Sequence, residues 1–156
     1  MKIITGGQTG VDLAAWQFAL ENDIPYGGWV PKGRLNEAGR IPDRFTGLTE
    51  TQSEDVAERT RLNVLSCDAL LVFLDGSSSP GTQLTIDFAH KTGKPCLVVD
   101  LRQQAEICVR EVKPWIMARP NAVLNVAGPR ESEAPQIGAK VTAVLRQSVL
   151  PNSTDK

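Results

Sequence analysis

The sequence predicts an α/β fold of the Rossmann-like class: a doubly wound parallel sheet of about five strands with helices on both faces. Three observations carry this prediction. Apolar, β-branched runs alternate with stretches of helical periodicity along almost the whole chain. One of those runs, Ala69 to Leu74, is unbroken in apolar residues, as a strand covered on both faces must be. A glycine-rich turn, Gly6-Gly7-Gln8-Thr9-Gly10, leads from the first strand into the first helical stripe.

Each element has its own signal. Lys2 to Thr5 reads as a short strand. Val11 to Glu21 carries apolar residues at 11, 14, 15, 18 and 19, which fall on one helical face. Ile24 to Gly28 is a weak second strand. Trp29 to Gly47 shows no periodicity and repeats Pro, Gly and Arg, so it reads as a long loop, which in a compact domain is more often functional than idle. Ser53 to Leu65 returns to helix, with Ser53 as N-cap and Val56, Ala57, Thr60 and Val64 along one face. After the Ala69–Leu74 strand, Asp75 to Pro80 is a turn. Gly81 to Thr92 is a helix that Gly93 stops. Cys96 to Val99 is the next buried strand. Ala105 to Ala118 is helical but broken near Pro114, which lacks an N–H and crowds the preceding turn. Ala122 to Ala127 is the last strand, Gly128 to Pro135 a loop, and Gln136 to Val149 the closing helix. Residues 1–150 are expected to form one ligand-binding domain, and the polar residues 151–156 a flexible tail.

Composition removes several function classes. The 156 residues include 17 Lys plus Arg and 18 Asp plus Glu, for a net charge of −1. That balance argues against nucleic acid held by bulk charge and against a polybasic membrane binder. No apolar run approaches the length of a transmembrane helix, and the first residues carry no signal-peptide pattern, so the expected address is cytoplasmic. The three cysteines, at 67, 96 and 108, show no CxxC spacing, and His90 is the lone histidine. Disulfide scaffolds, zinc sites and Ser-His-Asp chemistry therefore have little support. The cysteines read as small buried hydrophobes, and His90 as a residue near a helix end.

In doubly wound folds, ligands sit beyond the carboxyl ends of the strands, which selects four loops. In Gly6-Gly7-Gln8-Thr9-Gly10-Val11-Asp12, glycines permit close backbone approach and the following helix aims free N–H groups at the same place, as suits a phosphate or other oxyanion. The spacing is neither GxGxxG nor a Walker P-loop. Thr9 either donates to the anion or caps the helix. Asp12 either complements the helix dipole or binds amino or hydroxyl groups of a ligand. Gly76-Ser77-Ser78-Ser79-Pro80-Gly81-Thr82 makes a second candidate cradle. Gly128-Pro129-Arg130-Glu131-Ser132 places an Arg fork at the end of the last strand, free for oxygens or paired with Glu131 or Glu133. The long loop holds Lys32, Arg34, Arg40 and Arg44 against Glu37 and Asp43, a local excess of cations beside Gly33. Its Trp29 and Phe45 either stack on a planar ring or seal the base of the loop.

Taken together, Gly6–Asp12, Gly28-Trp29-Val30-Pro31-Lys32-Gly33-Arg34, Glu37-Ala38-Gly39-Arg40-Ile41-Pro42, Arg59-Thr60-Arg61-Leu62-Asn63-Val64, Gly81-Thr82 and Asn125–Ser132 resemble the molybdenum carrier family, in family order and across nearly the whole chain. The resemblance implies a homo-oligomeric, non-enzymatic carrier or storage protein for molybdenum cofactor, or for a molybdate- or tungstate-type oxyanion. A molybdenum enzyme would be the recipient. The loops and the resemblance together point to a ligand site built from Gly6, Gly7, Gln8, Thr9, Gly10, Asp12, Lys32, Gly33, Arg34, Asn63, Gly76, Ser77, Ser78, Ser79, Gly81, Thr82, Gly128, Arg130 and Ser132. The wider superfamily includes the Lonely Guy phosphoribohydrolases, often labelled lysine decarboxylases, with a PGGxGTxxE loop. Here that stretch reads Ser77-Ser78-Ser79-Pro80-Gly81-Thr82-Gln83-Leu84-Thr85, and Thr85 stands where the catalytic Glu would be. The alternatives are a nucleoside-monophosphate phosphoribohydrolase and a sensor of a nucleotide-derived ligand.

Overall fold

The computed structural model describes residues 1–152. In chain order its elements are β1 (Lys2–Ile4), α1 (Val11–Glu21), β2 (Tyr26–Gly27), β3 (Trp29–Val30), β4 (Leu35–Asn36), β5 (Gly39–Arg40), β6 (Thr49–Glu50), α2 (Val56–Ser66), β7 (Ala69–Leu74), α3 (Pro80–Lys91), β8 (Cys96–Asp100), α4 (Ala105–Met117), β9 (Val123–Ala127) and α5 (Ile137–Val149). Five strands pair in the order β2-β1-β9-β7-β8, and every pairing in that sheet is parallel. The fold is the Rossmann-like α/β class that the alternating pattern predicts.

The last strand in sequence is central in space. β9 lies between β1 and β7, with Ile4 opposite Asn125 and Leu70 opposite Asn125 on its other side. Its exit loop therefore emerges between the exit loops of β1 and β7, and that juxtaposition builds the site.

β7 alternates between two cores. Ala69, Leu71 and Phe73 point to the layer shared with α1, α4 and α5; Leu70 and Val72 point to the layer holding Val64 of α2 and Ile86 of α3. This is why its sequence is continuously apolar. A third, smaller core is formed by Trp16, Val30, Ile41 and Phe45.

That third core revises the reading of residues 29–47 as a loop without structure. Trp29–Val30 pairs in parallel with Thr49–Glu50, and Leu35–Asn36 turns back on Gly39–Arg40 as a short antiparallel ribbon. The segment escapes periodicity because its pairings are two residues long and its apolar residues are far apart in sequence. Phe45 is fully buried, 5.4 Å from the Trp16 ring, so it seals the segment and is not available to stack on a ligand. Trp29 donates its indole N–H to Ser66 Oγ.

Two local expectations fail. Asp55, not Ser53, caps α2 by accepting from the Ala57 N–H at 2.9 Å, while Ser53 Oγ donates to Glu58. An ionised carboxylate is the stronger cap for positive N–H groups. α4 also runs unbroken through Pro114. Val112 and Ile116, one turn apart on its inner face, are both buried against the sheet, and this packing offsets the lost hydrogen bond. Gly93 ends α3 as expected, with φ of 67° and its N–H on the His90 carbonyl. Of the predicted tail, residues 153–156 lie outside the described residues. No helix among the described residues is long and apolar enough to cross a membrane.

Candidate functional site

A cavity of about 260 Å³ opens at the carboxyl ends of β1, β9 and β7. Its polar wall holds Gln8, Asp12, Arg59, Arg130 and Glu133; its floor is the start of α3 at Ser79, Gly81 and Thr82. Val56, Ala57, Pro80, Leu84 and Ala127 give it an apolar side.

Of the residues expected to bind a ligand, Gln8, Asp12, Ser79, Gly81, Thr82, Gly128 and Arg130 meet here. Gly6 and Asn63 line a small adjoining cleft. Asn63 is tied to the backbone of Trp29 in both directions, accepting from its N–H at 2.8 Å and donating to its carbonyl at 2.9 Å.

The first turn differs from the expected cradle in one decisive respect. Three of its amides are already engaged. The Gly7 N–H donates to Thr5 Oγ1, the Gln8 N–H to Asp12 Oδ2 at 3.1 Å, and the Thr9 N–H to Gln8 Oε1. The Asp12 side chain thus sits where a bound anion would sit. The glycines serve internal contacts instead. A Cβ on Gly6 would lie 1.7 Å from Arg59 Nη1, on Gly7 2.7 Å from Ile41, and on Gly10 2.5 Å from the Pro129 carbonyl.

The cations of residues 29–47 are also directed elsewhere. Arg34 donates to the Phe45 carbonyl at 2.8 Å, Arg40 pairs with Asp43, Arg44 lies over the Phe45 ring, and Lys32 is exposed. The Gly33 N–H donates to Glu50. Lys32, Gly33 and Arg34 therefore stand outside the cavity lining. What this segment sends toward the site is Glu37. It accepts from Thr9 Oγ1, from the Ser132 N–H at 3.2 Å and from the Ser132 hydroxyl, and lies 3.7 Å from Arg130 Nε. Those bonds hold its carboxyl below the usual range. Thr9 and Ser132 thus clamp three loops together. In the β7–α3 turn, the Gly76 N–H donates to Asp100, Ser77 bridges back to Asp75, and Ser78 donates to Gln83, so none of the three lines the cavity. Arg130 lines it while paired with Glu133 at 3.1 Å.

The residue that the sequence reading missed is Arg59. It lies in the Arg59–Val64 stretch that carried part of the resemblance, but nothing in its helix spacing separates it from a solvated Arg. In the structure its side chain is 13% exposed and Nη1 lies 3.6 Å from Asp12 Oδ2, beyond hydrogen-bond length. Its Nε has no partner among the described residues. Burial lowers its pKa and Asp12 opposes that. Asp12 answers in kind: burial lifts its carboxyl from 3.8 to about 6, although Arg59 and the loop amides pull it down. Arg59 is a partly satisfied cation at the edge of a cavity, and it offers a planar fork of donors to an incoming oxyanion. No group of three or more potential metal ligands occurs among the described residues.

The comparisons agree with this architecture. The pattern of the "Circularly permutated YpsA SLOG family" matches residues 3–149. A crystal structure described as a "Putative molybdenum carrier protein" from Syntrophus aciditrophicus SB superposes with a TM-score of 0.90 at 43% identity, covering 96% of this chain and 94% of that one. No protein of curated function matches. By sequence pattern and by fold, the chain belongs to the circularly permutated YpsA SLOG family.

Proposed function

We propose that the protein is a non-enzymatic carrier whose cargo is an organic anion of the molybdenum-cofactor type, held in the cavity between Arg59 and the start of α3. Arg59 is the observation that carries this reading: a nearly buried guanidinium at the cavity wall with a donor that no described residue uses. Such a group costs free energy unless something accepts from it.

Two further features support it. α3 begins with Pro80 and a Ser79 cap, and its first turn carries no acid, so its dipole is left for an outside charge. The volume of about 260 Å³ is near the lower end of the roughly 300–1,000 Å³ typical of organic-ligand clefts. With one apolar wall, it suits a ring bearing a phosphate better than a bare tetrahedral oxyanion such as molybdate or tungstate.

Turnover has no obvious agent. Thr85 is buried at the cavity with its hydroxyl on the Gly81 carbonyl, and a hydroxyl so placed neither removes a proton as a carboxylate does nor balances a developing positive charge. The name of the Syntrophus protein points the same way. A recipient molybdenum enzyme and a homo-oligomeric assembly belong to the same proposal.

Thermal shift with molybdenum cofactor released from a molybdoenzyme, beside AMP, molybdate and tungstate, tests it. A ligand at about 100 times its Kd adds about 2.7 kcal/mol, or a rise of about 5–10 °C at this chain length. The expected result is a shift with the cofactor and no free base from AMP. Base release from AMP, or no response to the cofactor, overturns the reading.

A further inference from the structure

The reading above rests on Arg59 and leaves the adjoining wall, where Asp12 lies 3.6 Å away, unexplained. There the β1–α1 turn has the glycines, the helix start and the backbone donors of an anion cradle, yet it holds the side chain of Asp12. We propose that Asp12 is a specificity-determining residue: its carboxylate is the resident occupant of that cradle, shuts bare inorganic oxyanions out of it, and leaves only the Arg59 side to the charged tail of an organic ligand. The proposal rests on the carrier reading for the identity of that organic ligand, but not for the exclusion itself.

The geometry is specific. The Gln8 N–H reaches Asp12 Oδ2 at 3.1 Å. The Gly7 and Thr9 amides are closed by Thr5 Oγ1 and Gln8 Oε1. Asp12 is 4% exposed, so its charge is little screened. A second anion at this turn would face an ionised carboxylate at contact distance and would find the Gly7, Gln8 and Thr9 amides already bonded. Like charges so placed cannot both persist at low dielectric.

Neutralising the carboxyl removes the repulsion and weakens its hold on the Gln8 amide, so that an anion can displace it. Burial already lifts Asp12 to about 6. The charged groups around it are Arg59 from α2, Arg130 and Glu133 from the β9–α5 loop, and Glu37 from the β4–β5 ribbon, which reaches the turn through Thr9.

The test is calorimetric titration with sodium sulfate, a dianion throughout the range from about pH 5 to about pH 8. With the wild-type protein, sulfate should bind near pH 5 and weaken about tenfold for each unit above about 6, because only the protonated form admits it. Asp12→Asn, which keeps the shape and loses the charge, should bind sulfate at about pH 8 at least about tenfold more tightly than wild type and lose the pH dependence. If Asp12→Asn does not fold, the wild-type pH series decides alone. Sulfate affinity that is equal at both ends of the series, or unchanged in a folded Asp12→Asn, overturns the proposal. AMP and molybdenum cofactor are titrated at about pH 8 in parallel. If neither binds while the sulfate pattern holds, the carrier reading falls and the exclusion by Asp12 stands.

Discussion

Replacing Arg59 with Met keeps an apolar stem of similar reach and deletes the charge beside Asp12. The size of the effect follows from the Asp12 titration. In the folded chain its carboxyl sits at about 6 against an ordinary 3.8, and one unit is worth about 1.4 kcal/mol. Keeping Asp12 ionised in the fold therefore costs about 3 kcal/mol. The sign is that of a raised acid: the associated stability is complete below 3.8, is lost as pH rises through about 6, and changes little above that. Without Arg59, 3.6 Å away, the folded pKa rises further and the loss continues through neutral pH. Protonation sets a ceiling, because a wholly neutral Asp12 near pH 7 costs about 4 kcal/mol relative to the unfolded chain. The additional penalty for Arg59→Met is then at most about 1.4 kcal/mol, a fall in Tm of about 3–6 °C at this chain length. Near pH 5 both proteins hold a largely neutral Asp12 and the difference should vanish. Release from burying the guanidinium itself favours the variant, so these figures are upper bounds. Calorimetric melts across that range read the effect, and cofactor affinity near pH 7 should fall at least about tenfold. A Tm loss of the same size at both ends of the range, or one well beyond the ceiling, would refute this account of the pair.

Two other substitutions separate packing from binding. Gly10→Ala places a methyl 2.5 Å from the Pro129 carbonyl at a residue with φ of 77°; backbone meeting backbone cannot relax as a side chain can, so urea denaturation should show a loss of at least about 2 kcal/mol. Thr85→Glu puts a carboxylate into the anion cavity beside α3; calorimetry should show cofactor affinity reduced about tenfold or more, and an assay of base release from AMP should stay blank if the missing carboxylate is not the sole obstacle to turnover.

The alternation of apolar runs and helical stripes made the fold class legible, and it placed the five main-sheet strands and all five helices close to their observed positions. Strand order was not legible. Nothing in Val123–Ala127 distinguishes a central strand from an edge strand, since both are apolar when helices cover the sheet, yet its place between β1 and β7 brings the first and last loops together. The ribbon at Leu35–Arg40 was invisible for a different reason. Its register rests on Asn36, which donates to the Gly7 carbonyl, and on Glu37 at the loop clamp, contacts between residues 29 and 95 positions apart that no local period records.

The site was legible by location and misread by charge. Counting cations drew attention to Lys32, Arg34, Arg40 and Arg44, but a count does not reveal which charges the chain already neutralises. A better signal was present at the helix starts. α1 has Asp12 in its first turn, α2 has Asp55 and Glu58, α4 has Glu106, and α5 receives Glu131 on the N–H groups of Gln136 and Gly138. In each case the chain supplies its own anion to the positive end of the helix. α3 begins Ser79-Pro80-Gly81-Thr82 and has none in its first turn. The same inventory could be taken from the sequence once the helices were placed. It demotes the glycine-rich turn, whose helix brings its own carboxylate, and promotes α3, which packs against the helix that carries Arg59.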